Sequence, residues 1–167
     1  MVESAGKRDL ELTWLACFVD TEGCLGLHKK HMYRGKYSIG PEITLCNTDG
    51  RLLQRVRYIM KQHELPHYVH VYQGKHNKKA NWVVKIYGMK RAKRFLEAIL
   101  PYLVGKADQA LAMLEFISYR LAVGPQVAVG AQEEAWWKKL RDLKEVPNLR
   151  DYTIDSPNNG DEDIVQS

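Results

Sequence analysis

The sequence predicts an α+β fold: a four-stranded antiparallel sheet with helices on one face, its elements in the order α-β-β-α-β-β-α plus C-terminal helices. Three observations lead to it. Two pairs of short segments alternate apolar and polar residues with the period of two that a half-buried strand requires. Each pair is followed by a segment with apolar residues three and four apart, the period of a helix packed along one side. At 167 residues, 45% of them hydrophobic, the chain suits one domain with one sizeable core. That domain is expected over residues 1–146, and 147–167 reads as an acidic flexible tail rich in Asn, Asp and Pro.

Residues 9–20 read as the first helix, with Asp9 as N-cap and Glu11 in the first turn, where the helix dipole favours an acid. Leu10, Leu12, Trp14, Leu15, Ala16, Cys17, Phe18 and Val19 cover it on every side, so it must be buried on every side. One face can lie on the chain's own sheet. The other needs a second partner, most simply the same helix of another copy.

Residues 24–33 and 38–46 read as strands joined by a basic turn around Arg34-Gly35. Leu25 and Leu27 share one face with Gly26, His28 and Lys30 opposite; Ile39, Ile43 and Leu45 alternate with Ser38, Glu42 and Thr44. A helix opened by Thr48-Asp49-Gly50 follows, with Leu52, Leu53, Val56, Ile59 and Met60 as its apolar stripe. The second hairpin is HYVHVYQ and WVVKIYG about the loop GKHNKKAN, with Val69, Val71, Trp82, Val84 and Ile86 set against Tyr68, His70, Tyr72, Val83, Lys85 and Tyr87. Helices over 89–100 and from about 106 to 121 come next, and an amphipathic one in EEAWWKKLRDLKE closes the domain. Trp136 and Trp137 read as packing groups, with stacking on bases as the alternative. This last helix is either an extra contact to a ligand or a cover for the sheet.

Charge narrows the function. Between Gly23 and Arg94 there are 16 Lys and Arg against three acids, a net charge of +13, while the remainder carries −8. Such a block inside a folded region points to a polyanion partner, here a nucleic acid, with a solvated basic surface as the alternative. Apolar runs fall short of the roughly 18 residues of a membrane span and no signal pattern is visible, so the chain is expected to be soluble and intracellular, in cytoplasm or an organelle matrix with access to DNA. Cys17, Cys24 and Cys46 are odd in number and form no C-x-x-C pair, which argues for buried thiols rather than a disulfide framework or zinc site.

The polar sheet face carries donors suited to phosphates and base edges: His28, Lys30, Thr44, His70, Tyr72 and Lys85. A β-ribbon fits the major groove, where such side chains read sequence. Arg34 and Lys36 in one loop, and Lys75, Lys78 and Lys79 in the other, would draw in phosphates without regard to sequence. Asp20 and Glu22 end the first helix just where phosphates would lie. Acids there repel DNA unless a divalent cation lies between, and carboxylates with backbone carbonyls suit Mg²⁺ or Mn²⁺. Two copies would bring acids to one locus, an arrangement for metal-assisted phosphodiester hydrolysis.

These residues carry a family resemblance. Leu15 to Gly23, read as L-A-C-F-V-D-T-E-G, resembles the signature of the LAGLIDADG homing endonucleases, and the element order over about 9–121 is similar to that family's half-saddle. One signature copy implies a homodimer whose signature helices pack together through Trp14, Leu15, Ala16, Cys17, Val19 and Asp20. The resemblance implies Glu22 and the carbonyl of Thr21 as metal ligands, and Asp20 as a structural acid at the helix junction. It further implies Lys106, after Leu100-Pro101-Tyr102-Leu103, as an active-site lysine, Asn47 as a water-organising residue and Arg51 as a peripheral basic group. Cys17 stands where a glycine is usual and Glu22 where Asp is commoner. The activity implied is cutting of a long, nearly palindromic site across the minor groove, with an origin in a mobile intron or intein. An RNA-binding intron maturase or a non-cleaving DNA-binding regulator is the alternative. An HNH-type nuclease built on His76-Asn77 lacks the further histidines that fold requires.

Overall fold

The computed structural model describes residues 2–31, 37–73, 80–125 and 127–145, with side chains from Gly6 onward. In chain order these are α1 (Val2–Glu22), β1 (Gly23–His31), β2 (Tyr37–Asn47), α2 (Gly50–Gln62), β3 (Tyr68–Tyr72) and β4 (Asn81–Tyr87). Then come α3 (Met89–Ile99), a 3-10 turn (Leu100–Tyr102), α4 (Ala107–Val123) and α5 (Ala131–Asp142). The expected order is therefore the observed one. Residues 147–167 lie outside the described region, as do the loop cations Arg34, Lys36, Lys75, Lys78 and Lys79.

The sheet is antiparallel throughout, in the order β1-β2-β4-β3. Its register pairs Gly23 with Leu45, Leu25 with Ile43 and Ile43 in turn with Ile86, so aliphatic side chains fall in rows on one face. Leu25, Ile43, Leu45, Val84 and Ile86 are fully buried there, beneath Val56 and Ile59 of α2, Phe95 and Ile99 of α3 and Met113 and Phe116 of α4. Asp49 caps α2, its Oδ1 accepting the Arg51 amide at 2.9 Å. This satisfies one of the four amides that a helix start leaves without a partner.

Several expectations are corrected. α1 begins at Val2, so Asp9 is not its N-cap; it lies mid-helix, and its carboxylate accepts the Tyr102 hydroxyl at 2.8 Å. Glu11 is likewise not in a first turn. It is buried and meets His63 Nε2 at 3.1 Å, tying α1 to the end of α2. Residues 2–8 contain no proline to end a helix, and that is why the boundary moved. Leu52 is 37% exposed because it sits one residue off the stripe that Leu53, Val56, Ile59 and Met60 bury. Val71 is 51% exposed near the end of β3, an edge strand with no helix over it there. The thiols are not buried: Cys17 and Cys24 are exposed and Cys46 half-buried, because they lie on the outer face of α1 and the polar face of the sheet.

Within the single chain α1 is buried on one side only, and an outer stripe is left exposed. Leu12, Leu15, Ala16, Phe18 and Val19 enter the core, whereas Leu10 is 73% exposed and Thr13 and Cys17 are exposed along one outer stripe. Leu15, Ala16 and Val19 are at 0% exposure in the single chain, so they offer a second copy no surface. Of the expected interface residues, Trp14, Cys17 and Asp20 keep some. Helical geometry explains the split, since 10, 13 and 17 share one side and 12, 15, 16 and 19 the other.

Candidate nucleic-acid interface and active site

Strand parity sets Cys24, Gly26, His28 and Lys30 of β1 beside Ser38, Gly40, Glu42 and Thr44 of β2, and Lys85 and Tyr87 of β4 beside Tyr68, His70 and Tyr72 of β3. The helices cover the opposite face. A shallow concavity of about 590 Å³ opens in the middle, lined among others by His28, Lys30, Glu42, His70, Tyr72 and Lys85. The His70 and Tyr72 rings stack at 5.9 Å and those of Tyr68 and Tyr87 at 4.4 Å. Arg91, from the first turn of α3, lies 5.4 Å over Tyr68 and brings a cation to the rim. Nothing in the run GMKRAKR distinguishes Arg91 from its neighbours, so this residue was invisible in the sequence. Thr44 donates its hydroxyl to Glu42 rather than standing free, and Lys85 is paired with Glu42 at 3.0 Å.

The second part of the site is the junction of α1, β1 and the turn before α4. Asp20 accepts the amides of Val104 and Lys106, each at 2.9 Å, and so clamps that turn against the end of α1. The Lys106 ammonium donates to the carbonyls of Val19, at 2.9 Å, and Asp20, where the helix leaves its last carbonyls without partners. Burial pushes the Lys106 amine below the ordinary lysine range; Asp20, Cys24 and Glu22 pull it back up, and Lys144 adds to the lowering. Glu22 itself is exposed, and among the described residues its carboxylate has no hydrogen bond or ion pair. Thr21 Oγ1 turns back to the Cys17 and Phe18 carbonyls, at 3.1 and 3.3 Å.

Asn47 ends β2 two residues beyond Leu45, the partner of Gly23, so it sits at the same end of the sheet as Glu22. Its Oδ1 accepts the Asp49 amide at 2.8 Å. Arg51 is exposed and forks onto Asp49, with Nη2 at 2.7 Å from Oδ2. Lys144 is a residue the sequence reading missed. Its Nζ lies 3.5 Å from Cys24 Sγ, and its charge is felt at Lys106. It arrives because Gln109 donates to the Leu143 carbonyl at 3.2 Å, a contact between α4 and the end of α5 that no local pattern announces. The rest of α5 is a cover: Leu140 is buried, Trp136 packs edge-on to Phe116 at 6.2 Å, and Trp137 lies under Lys29 at 4.1 Å.

The donor set suits a hard divalent cation only in part. Among the described residues no group of three or more His, Cys, Asp or Glu side chains is placed to hold a metal ion. One unpaired carboxylate beside helix-terminal carbonyls can anchor such an ion, with water, phosphate or a second chain completing its shell. Among the described residues no helix is long and apolar enough to cross a membrane.

No family model matches the chain, and no curated protein does either. Solved structures do. The homing endonuclease I-CvuI, in complex with its target in the presence of Ca, superposes with a TM-score of 0.57 at 19% identity, over 84% of this chain and 99% of that one. The archaeal intron-encoded homing endonuclease I-Vdi141I, complexed with DNA, gives 0.63 at 13% identity, over 84% and 87%. The LAGLIDADG homing endonuclease I-GzeII, in complex with a DNA target, gives 0.57 at 15%, over 83% of this chain and 45% of that one. On these likenesses and the sheet topology, the fold is that of the LAGLIDADG homing endonucleases.

Proposed function

We propose that the chain is a site-specific double-strand DNA endonuclease that works as a homodimer with Mg²⁺ or Mn²⁺. The observation that carries this reading is the exposed Glu22 carboxylate, unpaired among the described residues, at the head of β1 in a sheet whose polar face bears His28 and Lys30 on that strand and Lys85 on β4. An acid in that position opposes DNA unless a cation sits between them. The polar sheet face binds the duplex and holds it in register, and Glu22 with the Thr21 carbonyl holds the ion. A bound divalent ion supplies activation of a water and stabilisation of the leaving oxygen. Lys106, with two of its three donors on α1 carbonyls, has one left for a phosphate oxygen or the attacking water. The Asn47 amide nitrogen orients water nearby, and Arg51 adds positive charge at the margin.

One acid per chain suits one strand of the duplex. Two chains joined along the outer stripe of α1 present two such acids and two sheets related by a dyad, and a dyad in the protein calls for a nearly palindromic target. The second reading, an RNA-binding role, draws on a separate observation: α2 and α3, on the far side of the sheet, carry the exposed cations Lys61 and Lys90, with Arg55 and Arg94 beside them paired to Glu11 and Glu64. Intron RNA is the partner such a surface suits. The test of the first reading is incubation with a randomised long-duplex library in Mg²⁺ and in EDTA, followed by sequencing of new ends. Metal-dependent ends that share one nearly palindromic site are expected. Tight duplex binding with no cutting would remove the nuclease and leave the regulator.

A further inference from the structure

Glu42 is out of keeping with its surroundings. It is the one acid among the described residues of the polar sheet face, at the centre of the 590 Å³ concavity, where every nearby charge is basic. Its cross-strand partners are Gly26 on β1 and Tyr87 on β4; the His28 ring and the Lys144 ammonium lie over Gly26, whereas a Cβ on Gly40, two residues before it on the same face, would meet nothing within 4 Å, so the space is open on that side. An unpaired acid there would weaken binding to any duplex. The chain nevertheless holds it in place. Lys85 Nζ lies 3.0 Å from Oε1, and Thr44 donates to the same oxygen at 3.4 Å. Both contacts fall on one oxygen, and Oε2 has no partner among the described residues. Burial raises the carboxyl, but Lys85, His28 and Thr44 outweigh it and hold Glu42 below the usual carboxylate range. It is thus an acceptor and never a donor at neutral pH.

We propose that Glu42 and Lys85 together read one C·G base pair in the major groove, Glu42 Oε2 accepting from cytosine N4 and Lys85 Nζ donating to guanine O6 or N7. This rests on the reading of the sheet face as the DNA-binding surface. The chemistry selects that pair. Cytosine presents a donor in the major groove, guanine presents only acceptors, and an acceptor beside a donor matches the two together. Reversed, as G·C, the pair would set guanine O6 against the carboxylate. Thymine's O4 would be repelled in the same way. Adenine offers one donor but adds an acceptor at N7, which suits an amide better than a carboxylate.

The experiment is binding selection in EDTA from a randomised duplex library, with the wild type, Glu42→Gln and Glu42→Ala compared by sequencing of the bound fragments. The wild type is expected to favour C·G about tenfold at one position, mirrored across the dyad. Glu42→Ala loses that preference at this position alone, and Glu42→Gln moves it towards A·T, because an amide pairs with adenine N6 and N7 together. Variant profiles identical to wild type at every position, with only a uniform rise in affinity, would overturn the proposal and leave Glu42 as a tether for Lys85. A wild type that enriches no duplex at all would deny the DNA-binding reading itself. The two failures are therefore distinguishable.

Discussion

Gly23 joins α1 to β1, and a Cβ built on it would lie 2.5 Å from the Val19 carbonyl oxygen and 2.9 Å from the Val19 Cα. Both are backbone atoms that cannot swing aside. Gly23→Ala is expected to destabilise by roughly 1–3 kcal/mol, as overpacking does, read as a lowered melting temperature. An unchanged melt would mean the junction has slack. The sequence shows this glycine as the last residue of the Leu15–Gly23 run, while the close approach that demands it belongs to three dimensions. The same boundary separates the other site residues. Glu22, Asp20 and Lys106 are candidates the sequence offers because a local run of residue types carries them. Glu42, Arg91 and Lys144 gain significance only from neighbours 43, 23 and 120 residues away in the chain, namely Lys85, Tyr68 and Cys24.

At the scale of elements, strand parity and the α2 stripe were readable because one face of each is buried and the period records it. The start of α1 was not, since no stop residue marks it. The attachment of α5 also escaped the sequence. It depends on a buried pair, Arg120 Nη1 to Glu133 Oε1 at 2.8 Å, with side-chain exposures of 11% and 2%. Glu133 also accepts the Gly130 amide at 2.9 Å and so caps its own helix. Arg120→Ala leaves that carboxylate buried without its cation and should destabilise by about 3 kcal/mol, measured by denaturant unfolding. Loss of less than about 0.5 kcal/mol would mean Glu133 reaches water. Burial raises the Glu133 carboxyl, yet the amides of Gly130 and Glu133 and the Arg120 cation bring it below the usual carboxylate range. Its folded value is thus the lower one, so the stabilisation is complete above the unfolded carboxylate range and is lost as pH falls through the folded value. Trp136 and Trp137 fluorescence should report α5 loosening in that acid window, and later in wild type than in Arg120→Ala.

For the whole molecule, the proposed dimer joins its two sheets along the outer stripe of α1. Leu10, Thr13 and Cys17 are exposed on it, and the thiol lies where a second helix would cross. Cys17→Glu sets two carboxylates against each other in a dimer but stays in water in a monomer. Sedimentation should therefore show a folded monomer for the variant and a dimer for the wild type. A variant that stays dimeric would move the interface elsewhere. The all-round apolar helix is what suggests a partner in the sequence. The residues that would face it were not legible there, because the sequence could not say which side the chain's own core would take.

The most direct measurement compares Glu22→Gln with the wild type on the selected site, scoring binding in EDTA and cleavage in Mg²⁺. Glutamine keeps the shape and removes the charge that holds a cation. Unchanged specific binding with cleavage lowered by at least about a hundredfold is the result this account predicts. Cleavage at the wild-type rate would contradict it, because the ion would then have no need of Glu22.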